Sequence, residues 1–120
     1  MKLLAIRGAI TCDEDSRTEI TARTQELVTE MMARNDVAHD DLVSVLFTAT
    51  VDLSAEFPAA AAREIGLGDV PLICAREIDV PGALARVIRI MMHTYTDRTR
   101  AELHHVYLGG ARTLRDDLPE

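Results

Sequence analysis

Residues 2–11, KLLAIRGAIT, are the stretch that most limits how this chain can fold. Read as a strand, the stretch carries mostly apolar side chains on both faces, which indicates that both faces are covered. Arg7 is the exception, because a cation on such a strand needs a partner. The strand divides into one face with Leu4, Ile6 and Ile10 and another with Leu3, Ala5, Arg7 and Ala9.

The remaining chain predicts alternating helices and strands. Ser16 and Glu19 fit a capping box, so a helix is predicted from Ser16 to about Asn35. The order β-α-β-α-β-α-β predicts a single α/β domain with four or slightly more strands, followed by a polar, flexible tail over about 110–120. Further strands are predicted at 42–50, 70–75 and 103–108, and further helices at 57–65, with Pro58 in the first turn, and at 83–94, after Pro81 and Gly82.

Composition excludes several function classes. The chain has 120 residues, 48% hydrophobic and 28% charged, which is typical of one globular domain. Its net charge of −7 argues against a nucleic-acid binder, which needs a basic face. No apolar run approaches the roughly 20 residues of a membrane span, and the N-terminus does not have the pattern of a secretory signal, so a cytoplasmic protein is expected. The two cysteines and four histidines show no metal-ligand spacing.

Four arginines lie in unusual surroundings and are candidates for binding an anion. They are Arg7 in a strand, Arg63 in an alanine-rich helix, Arg89 on the predicted apolar helix 83–94 and Arg115 in the tail. Arginine holds carboxylates in a fork geometry. The plainer alternative for Arg89 and Arg63 is a solvated helix face.

Three further residues lie in or just after predicted strands. Glu77 follows the strand 70–75, where α/β proteins often bind ligands, but spacing alone favours an ordinary loop carboxylate. Cys74 is expected to be a packed thiol, and Tyr107 to lie either in the core or in a site. The sequence contains no nucleophile elbow, P-loop, GxGxxG or HExxH motif. A reaction here would therefore depend on placed charges.

Five stretches together resemble the monofunctional chorismate mutases of the trimeric α/β class. They keep the order and spacing of that family over nearly the whole chain. The stretches are IRGAIT (6–11), TATVDLSAEFPAAAARE (48–64), VPLICAREIDVPGAL (70–84), RVIRIMMHT (86–94) and HHVYLGGARTLRDDL (104–118).

The resemblance implies a fold and a reaction. The expected fold is a mixed sheet flanked by helices, which assembles as a homotrimeric pseudo-barrel with active sites between subunits. The expected reaction is the Claisen rearrangement of chorismate to prephenate, in aromatic amino-acid biosynthesis, with no cofactor and no metal. Neither nucleic acid nor membrane is an expected partner.

The resemblance also assigns roles to residues. Arg89 would donate to the ether oxygen of the substrate, Arg7 would hold a carboxylate, and Glu77 would accept from the substrate hydroxyl. Tyr107 and Cys74 would also contact the substrate. A substrate-binding wall, in part from a neighbouring subunit, and a mouth would come from Phe57, Ala59, Arg63, Leu72, Ile73, Leu114 and Arg115.

The chain departs from the family at a few positions. Ala60 stands where better-known members carry a lysine, and Val51 replaces a common proline. Strict alternation along the strand 70–75 places Cys74 and Glu77 on opposite faces. Because both should reach one ligand, a break in the pleat is predicted between them.

Two other functions fit the same composition. The first is a small trimeric metabolite-binding protein without catalysis, which needs an arginine for a carboxylate but no cation aimed at an ether oxygen. The second is a structural interaction domain, which leaves Arg7, Glu77 and Arg89 without a role. The pair of Arg89 and Glu77 therefore distinguishes the mutase from both alternatives.

Overall fold

The computed structural model describes residues 1–115, with only the backbone of Arg115. Short 3₁₀ helices cover His39–Asp41, Arg100–Glu102 and Gly109–Arg115. The strands are β1 (Lys2–Thr11), β2 (Leu42–Ala49), β3 (Leu72–Arg76), β4 (Val87–Thr96) and β5 (Val106–Leu108), and the helices are α1 (Arg17–Arg34) and α2 (Pro58–Ala62). The part of the predicted tail beyond residue 115 lies outside the described residues, and the part from 110 to 115 is 3₁₀-helical.

The strands form one mixed sheet in the order β3-β2-β4-β1-β5. Strand β4 runs antiparallel to both β1 and β2, while β5 is parallel to β1 and β3 is parallel to β2. The pairings of β4 with β1 and with β2 are the longest in the sheet, and β4 is its central strand. The prediction of a single α/β domain on a mixed sheet flanked by helices is confirmed.

The third predicted helix is wrong, because most of residues 83–94 belong to β4 and the turn before it. The segment alternates strictly, with Ile88, Ile90 and Met92 fully buried and the residues between them less so. The same sequence also fits an apolar helical stripe through Leu84, Val87, Ile88 and Met91, which is why a helix is predicted. The β-branched residues and the long-range pairing favour the strand. The chain order is therefore β-α-β-α-β-β-β.

Helix α1 begins where its sequence predicts. The Ser16 hydroxyl accepts a hydrogen bond from the Glu19 backbone N–H at 3.1 Å, which caps the helix. Glu19 does not complete the capping box; its carboxylate accepts from the Asp13 N–H at 3.2 Å and so holds the preceding loop. No helix within residues 1–115 has the length and apolar character to span a membrane.

The two faces of the sheet differ in what covers them. Helices α1 and α2 pack on one face, which we call the covered face, and bury the main core there. The opposite face, which we call the open face, carries no α-helix in the described chain; the 3₁₀ helix Gly109–Arg115 packs against one end of it, beside Ala9 and Tyr107. Leu3 and Tyr95 pair across β1 and β4 on that face and are each about half exposed. The sequence predicts that both faces of β1 are covered. Within the described chain, α-helices cover one face of β1 only.

Candidate active site

A cavity of about 200 Å³ lies on the open face of the sheet and collects most of the charged candidates. The strand register explains why these residues lie together. Arg89 on β4 pairs with Ala9 of β1 on one side and with Thr48 of β2 on the other, and Ala9 also pairs with Tyr107 of β5. Side chains of directly paired residues lie on the same face. The lining consists of Arg7, Gly8, Leu46, Thr48, Glu77, Arg89, Ile90, Met91 and Tyr107.

Glu77 and Arg89 form the charged centre of this cavity. The Arg89 Nε lies 3.3 Å from the Glu77 Oε1, and both side chains are partly exposed. The Nε atom is shielded from water and, within residues 1–115, has no acceptor in hydrogen-bond alignment. The contact is thus an ion pair that leaves this donor without a hydrogen bond, on an arginine side chain that is 42% exposed and can meet an anionic or ether oxygen.

Thr48 is a member of the cavity that the sequence reasoning did not identify. Its Oγ1 donates a hydrogen bond to the Glu77 Oε2, whereas the Arg89 Nε lies 3.3 Å from the other oxygen, Oε1. The signal in the sequence is weak, since Thr48 only alternates with the apolar Phe47 and Ala49 of β2. Its role depends on the pairing of β2 with β3 and β4, which the sequence does not state.

Arg7 and Tyr107 line the other side of the cavity. The Arg7 side chain is exposed, and within the described chain it forms no ion pair with a carboxylate, so its guanidinium is available to a ligand. Its backbone N–H donates to His105 Nδ1 at 2.9 Å, which joins β1 to the segment before β5. Tyr107 is buried beside Ala9 and Val87, so it is a packed residue that also borders the cavity.

Cys74 is not brought to this cavity. It is half-buried against the core on the covered face, since it pairs with Phe47 of β2. Glu77 lies on the open face, and its backbone N–H still donates to the Ala49 carbonyl at 3.0 Å, so β-type pairing continues past Arg76. The predicted break in the pleat between Cys74 and Glu77 is therefore wrong, and alternation holds.

A second cavity, of about 330 Å³, contains Cys74 together with Phe57. Phe57 is 68% exposed at the start of α2, and Ile73 is 63% exposed on the edge strand β3. Large apolar side chains exposed at one edge mark a surface that another chain can cover. This edge also contains the half-buried Leu72 and the buried Ala59, with exposed Arg63 one turn along.

The segment between β2 and α2, which leads to Phe57, is fastened from two sides. Asp15 accepts hydrogen bonds from the backbone N–H groups of Ser54 and Ala55, each at 3.0 Å, which lowers the pKa of its carboxyl. Arg76 Nη1 donates to the Thr50 and Leu53 carbonyls at 3.0 and 2.9 Å. Two charged side chains, Asp15 and Arg76, therefore hold this one segment in place.

The remaining candidates lie at the end of the described chain. Leu114 is half-buried and packs against the small open-face cluster that contains Tyr107 and Ala111. Only the backbone of Arg115 is described, so its predicted role is outside the described structure. The other cysteine, Cys12, is buried, and burial raises the pKa of its thiol to about 12, which leaves it protonated at neutral pH.

Comparison with known proteins gives consistent findings. The family model described as chorismate mutase type I matches residues 3–118. A chorismate mutase AroH of Thermus thermophilus is 47% identical over 114 residues, which cover 94% of this chain and 93% of the relative. The chorismate mutase AroH of Bacillus subtilis strain 168 is 41% identical over 119 residues, covering 98% and 94%.

A solved structure agrees with the sequence relatives. The chorismate mutase from Clostridium thermocellum superposes with a TM-score of 0.90 at 48% identity, and the match covers 92% of this chain and 98% of that one. Similarity of sequence and similarity of fold thus extend over the same nearly full length.

Proposed function

This chain belongs to the type I chorismate mutase family and converts chorismate to prephenate, and we propose that the open-face cavity with Arg89 and Glu77 is the main part of its active site. The observation that carries the proposal is the Arg89 Nε, which is shielded from water and has no aligned acceptor within residues 1–115. Membership of an enzyme family also decides against a non-catalytic metabolite binder.

The reaction is an isomerisation within one molecule. A carbon–oxygen bond of the ether breaks while a carbon–carbon bond forms, and no atom is gained or lost. Negative charge develops on the ether oxygen in the transition state, so a fixed cation next to that oxygen lowers the barrier. The unsatisfied Arg89 donor fits this requirement, since it is oriented before the substrate arrives.

The other cavity residues fit the two carboxylates and the hydroxyl of the substrate. Arg7 is exposed at the cavity and fits a carboxylate in a forked contact. Glu77 accepts from the ring hydroxyl and balances the charge of Arg89. Tyr107 contacts the side-chain carboxylate. Together they hold the compact conformer in which the reacting carbons meet.

We further propose that a neighbouring copy completes the site in a homotrimer. The cavity of about 200 Å³ is partly open. In the same chain Phe57 belongs to the second cavity, and the exposed Ile73 lies on the edge strand β3, where its partner Leu46 lines the open-face cavity. Cys74 on the covered face can reach a substrate only in a neighbour's cavity. The neighbour's wall would consist of Phe57, Ala59, Arg63, Leu72, Ile73 and Cys74, with Leu114 and Arg115 at the mouth.

Mixing two impaired variants tests both proposals. Arg89→Ala removes the donor to the ether oxygen and should lower kcat by about 100-fold to 1,000-fold. Arg63→Ala should mainly raise KM, because it removes a cation of the neighbour's wall. Arg34→Ala is the control, since Arg34 pairs with Glu30 on α1, away from both cavities.

Co-refolding Arg89→Ala with Arg63→Ala should then give some mixed trimers that contain one intact site. Activity against chorismate is expected to exceed the sum of the two separate variants, and the mass should be close to three times 13.2 kDa. An Arg89→Ala variant with wild-type turnover contradicts the proposed site. A fully active monomer, or no gain on mixing, contradicts the shared site. The cytoplasmic location stays a prediction.

A further inference from the structure

We propose that Thr48 is a positioning residue, which holds Glu77 in the orientation that leaves Arg89 free for the substrate. The inference depends on the proposed active site. It concerns a residue that touches Glu77 and acts through it. The hydroxyl of Thr48 donates to one carboxylate oxygen of Glu77, and the Arg89 Nε lies 3.3 Å from the other.

The position of Thr48 in the sheet makes this contact possible. Strand β2 lies between β3 and β4, and Thr48 pairs with Ala75 on β3 and with Arg89 on β4. Glu77 comes one residue after β3 ends, so the strand ladder fixes its backbone only through one hydrogen bond to Ala49. A glutamate at a strand end keeps much rotamer freedom, and something must restrict it.

The two carboxylate oxygens have different partners. Oε2 accepts from Thr48, which occupies it with a donor other than Arg89, and Oε1 lies 3.3 Å from the Arg89 Nε without hydrogen-bond alignment. A carboxylate released from Thr48 can turn both oxygens to Arg89 in a bidentate pair, which is the stronger geometry. Such a pair would use the donors that the transition state needs.

This argument predicts which kinetic constant changes. The proposed site assigns the substrate carboxylates to Arg7 and Tyr107, and within the described chain neither has a hydrogen bond to Thr48 or Glu77, so substrate binding should change only through the hydroxyl contact of Glu77. The orientation of the Arg89 guanidinium matters in the transition state, so loss of the Thr48 hydroxyl should lower kcat. A merely structural role for Thr48 would instead lower thermal stability and the fraction of active protein.

Two substitutions separate the hydroxyl from the shape of the side chain. Thr48→Val keeps the size and the strand preference but removes the donor, and we expect kcat to fall by about 10-fold with KM changed by less than about 3-fold. Thr48→Ser restores the donor and should return kcat to within about 3-fold of wild type. Thr48→Ala, which also lacks the donor, serves if the valine variant does not fold.

A double-mutant cycle with Glu77→Ala tests whether Thr48 acts through Glu77. In a Glu77→Ala background, Thr48→Val should cause no further loss of kcat, because its acceptor is gone. Full additivity of the two losses, or a Thr48→Val variant with wild-type kcat, overturns the positioning role. If Glu77→Ala itself leaves kcat/KM unchanged, the proposed active site fails, which is a different result.

Discussion

The two faces of the sheet use the same strands for different purposes. Along β2, Phe47 is fully buried under the helices, while its neighbour Thr48 lies in the open-face cavity. Along β4, Ile88 and Ile90 are buried and Arg89 between them meets Glu77. Because successive strand residues alternate, one strand can supply both a core and a site.

The comparison indicates where stability and activity reside. The covered face carries aliphatic and aromatic side chains packed against α1 and α2, and no charged residue is buried among residues 1–114. The open face carries the ion pair and the exposed arginine of the cavity. Substitutions on the covered face should therefore change the free energy of unfolding, and those in the cavity should change the rate.

The largest effect on stability is expected from Phe47→Ala. The side chain is fully buried, and its loss leaves a cavity between the sheet and the helices. We expect the free energy of unfolding to fall by about 3–5 kcal/mol, measured by urea denaturation at a fixed protein concentration. Arg89→Ala, measured in the same way, should change it by less than about 1 kcal/mol. Equal losses for the two variants would show that the faces do not divide the roles.

A smaller effect is expected from Gly8→Ala, which tests how closely α1 lies on the covered face. A Cβ at Gly8 would come within 2.5 Å of the Met31 Sδ and 3.0 Å of the Leu27 Cδ1, both on α1. The helix must shift or Met31 must change rotamer, which should cost about 1–3 kcal/mol in thermal or urea unfolding.

Gly68→Ala is the control for that substitution. A Cβ at Gly68 meets open space, and its backbone has an ordinary φ of −66°. The free energy of unfolding should stay the same or rise slightly, because alanine restricts the unfolded chain. A Gly8→Ala variant as stable as this control would mean that α1 packs less tightly than the structure describes.

The covered face was also the part that the sequence predicted best. The apolar face of β1, the cap at Ser16 and the helix that follows it are predicted from local signals, and all three are confirmed. Strand β4 was missed because its apolar letters fit both a helical and a strand period. Only its pairing with β1 and β2 decides between them, and pairing is not a local property.

The open-face cavity could not have been assembled from spacing alone. Arg7, Glu77, Arg89 and Tyr107 come from four separate segments, and the family resemblance, rather than periodicity, singled them out together. Thr48 had no such signal, because its partner Glu77 is brought near by the β2–β3 pairing. The wrong prediction of a break in the pleat after Cys74 assumed that one chain supplies every contact, whereas alternation along β3 places that thiol on the covered face.

The smallest predicted effect on stability concerns Asp15. Its carboxylate holds the segment before Phe57 in place, beside the cavity of about 330 Å³. Its carboxylate accepts from the Ser54 and Ala55 N–H groups and from the Ser54 hydroxyl, which lowers its pKa below the ordinary 3.8. A carboxyl with a lowered pKa in the folded state stabilises the protein above the unfolded pKa. That contribution is lost as the pH falls through the lowered value.

Asp15→Asn should therefore lower the Tm slightly at neutral pH, and the difference from wild type should shrink as the pH falls below about 3.8. Glu14→Gln is the matched control, since the Glu14 side chain makes no hydrogen bond or ion pair within residues 1–115. A Tm difference that stays constant down to the acid limit would mean that Asp15 acts through packing rather than charge. If the segment also positions Phe57 for a neighbouring site, Asp15→Asn should raise KM for chorismate while kcat stays the same. The edge would then serve binding, and the open-face cavity would serve the chemical step.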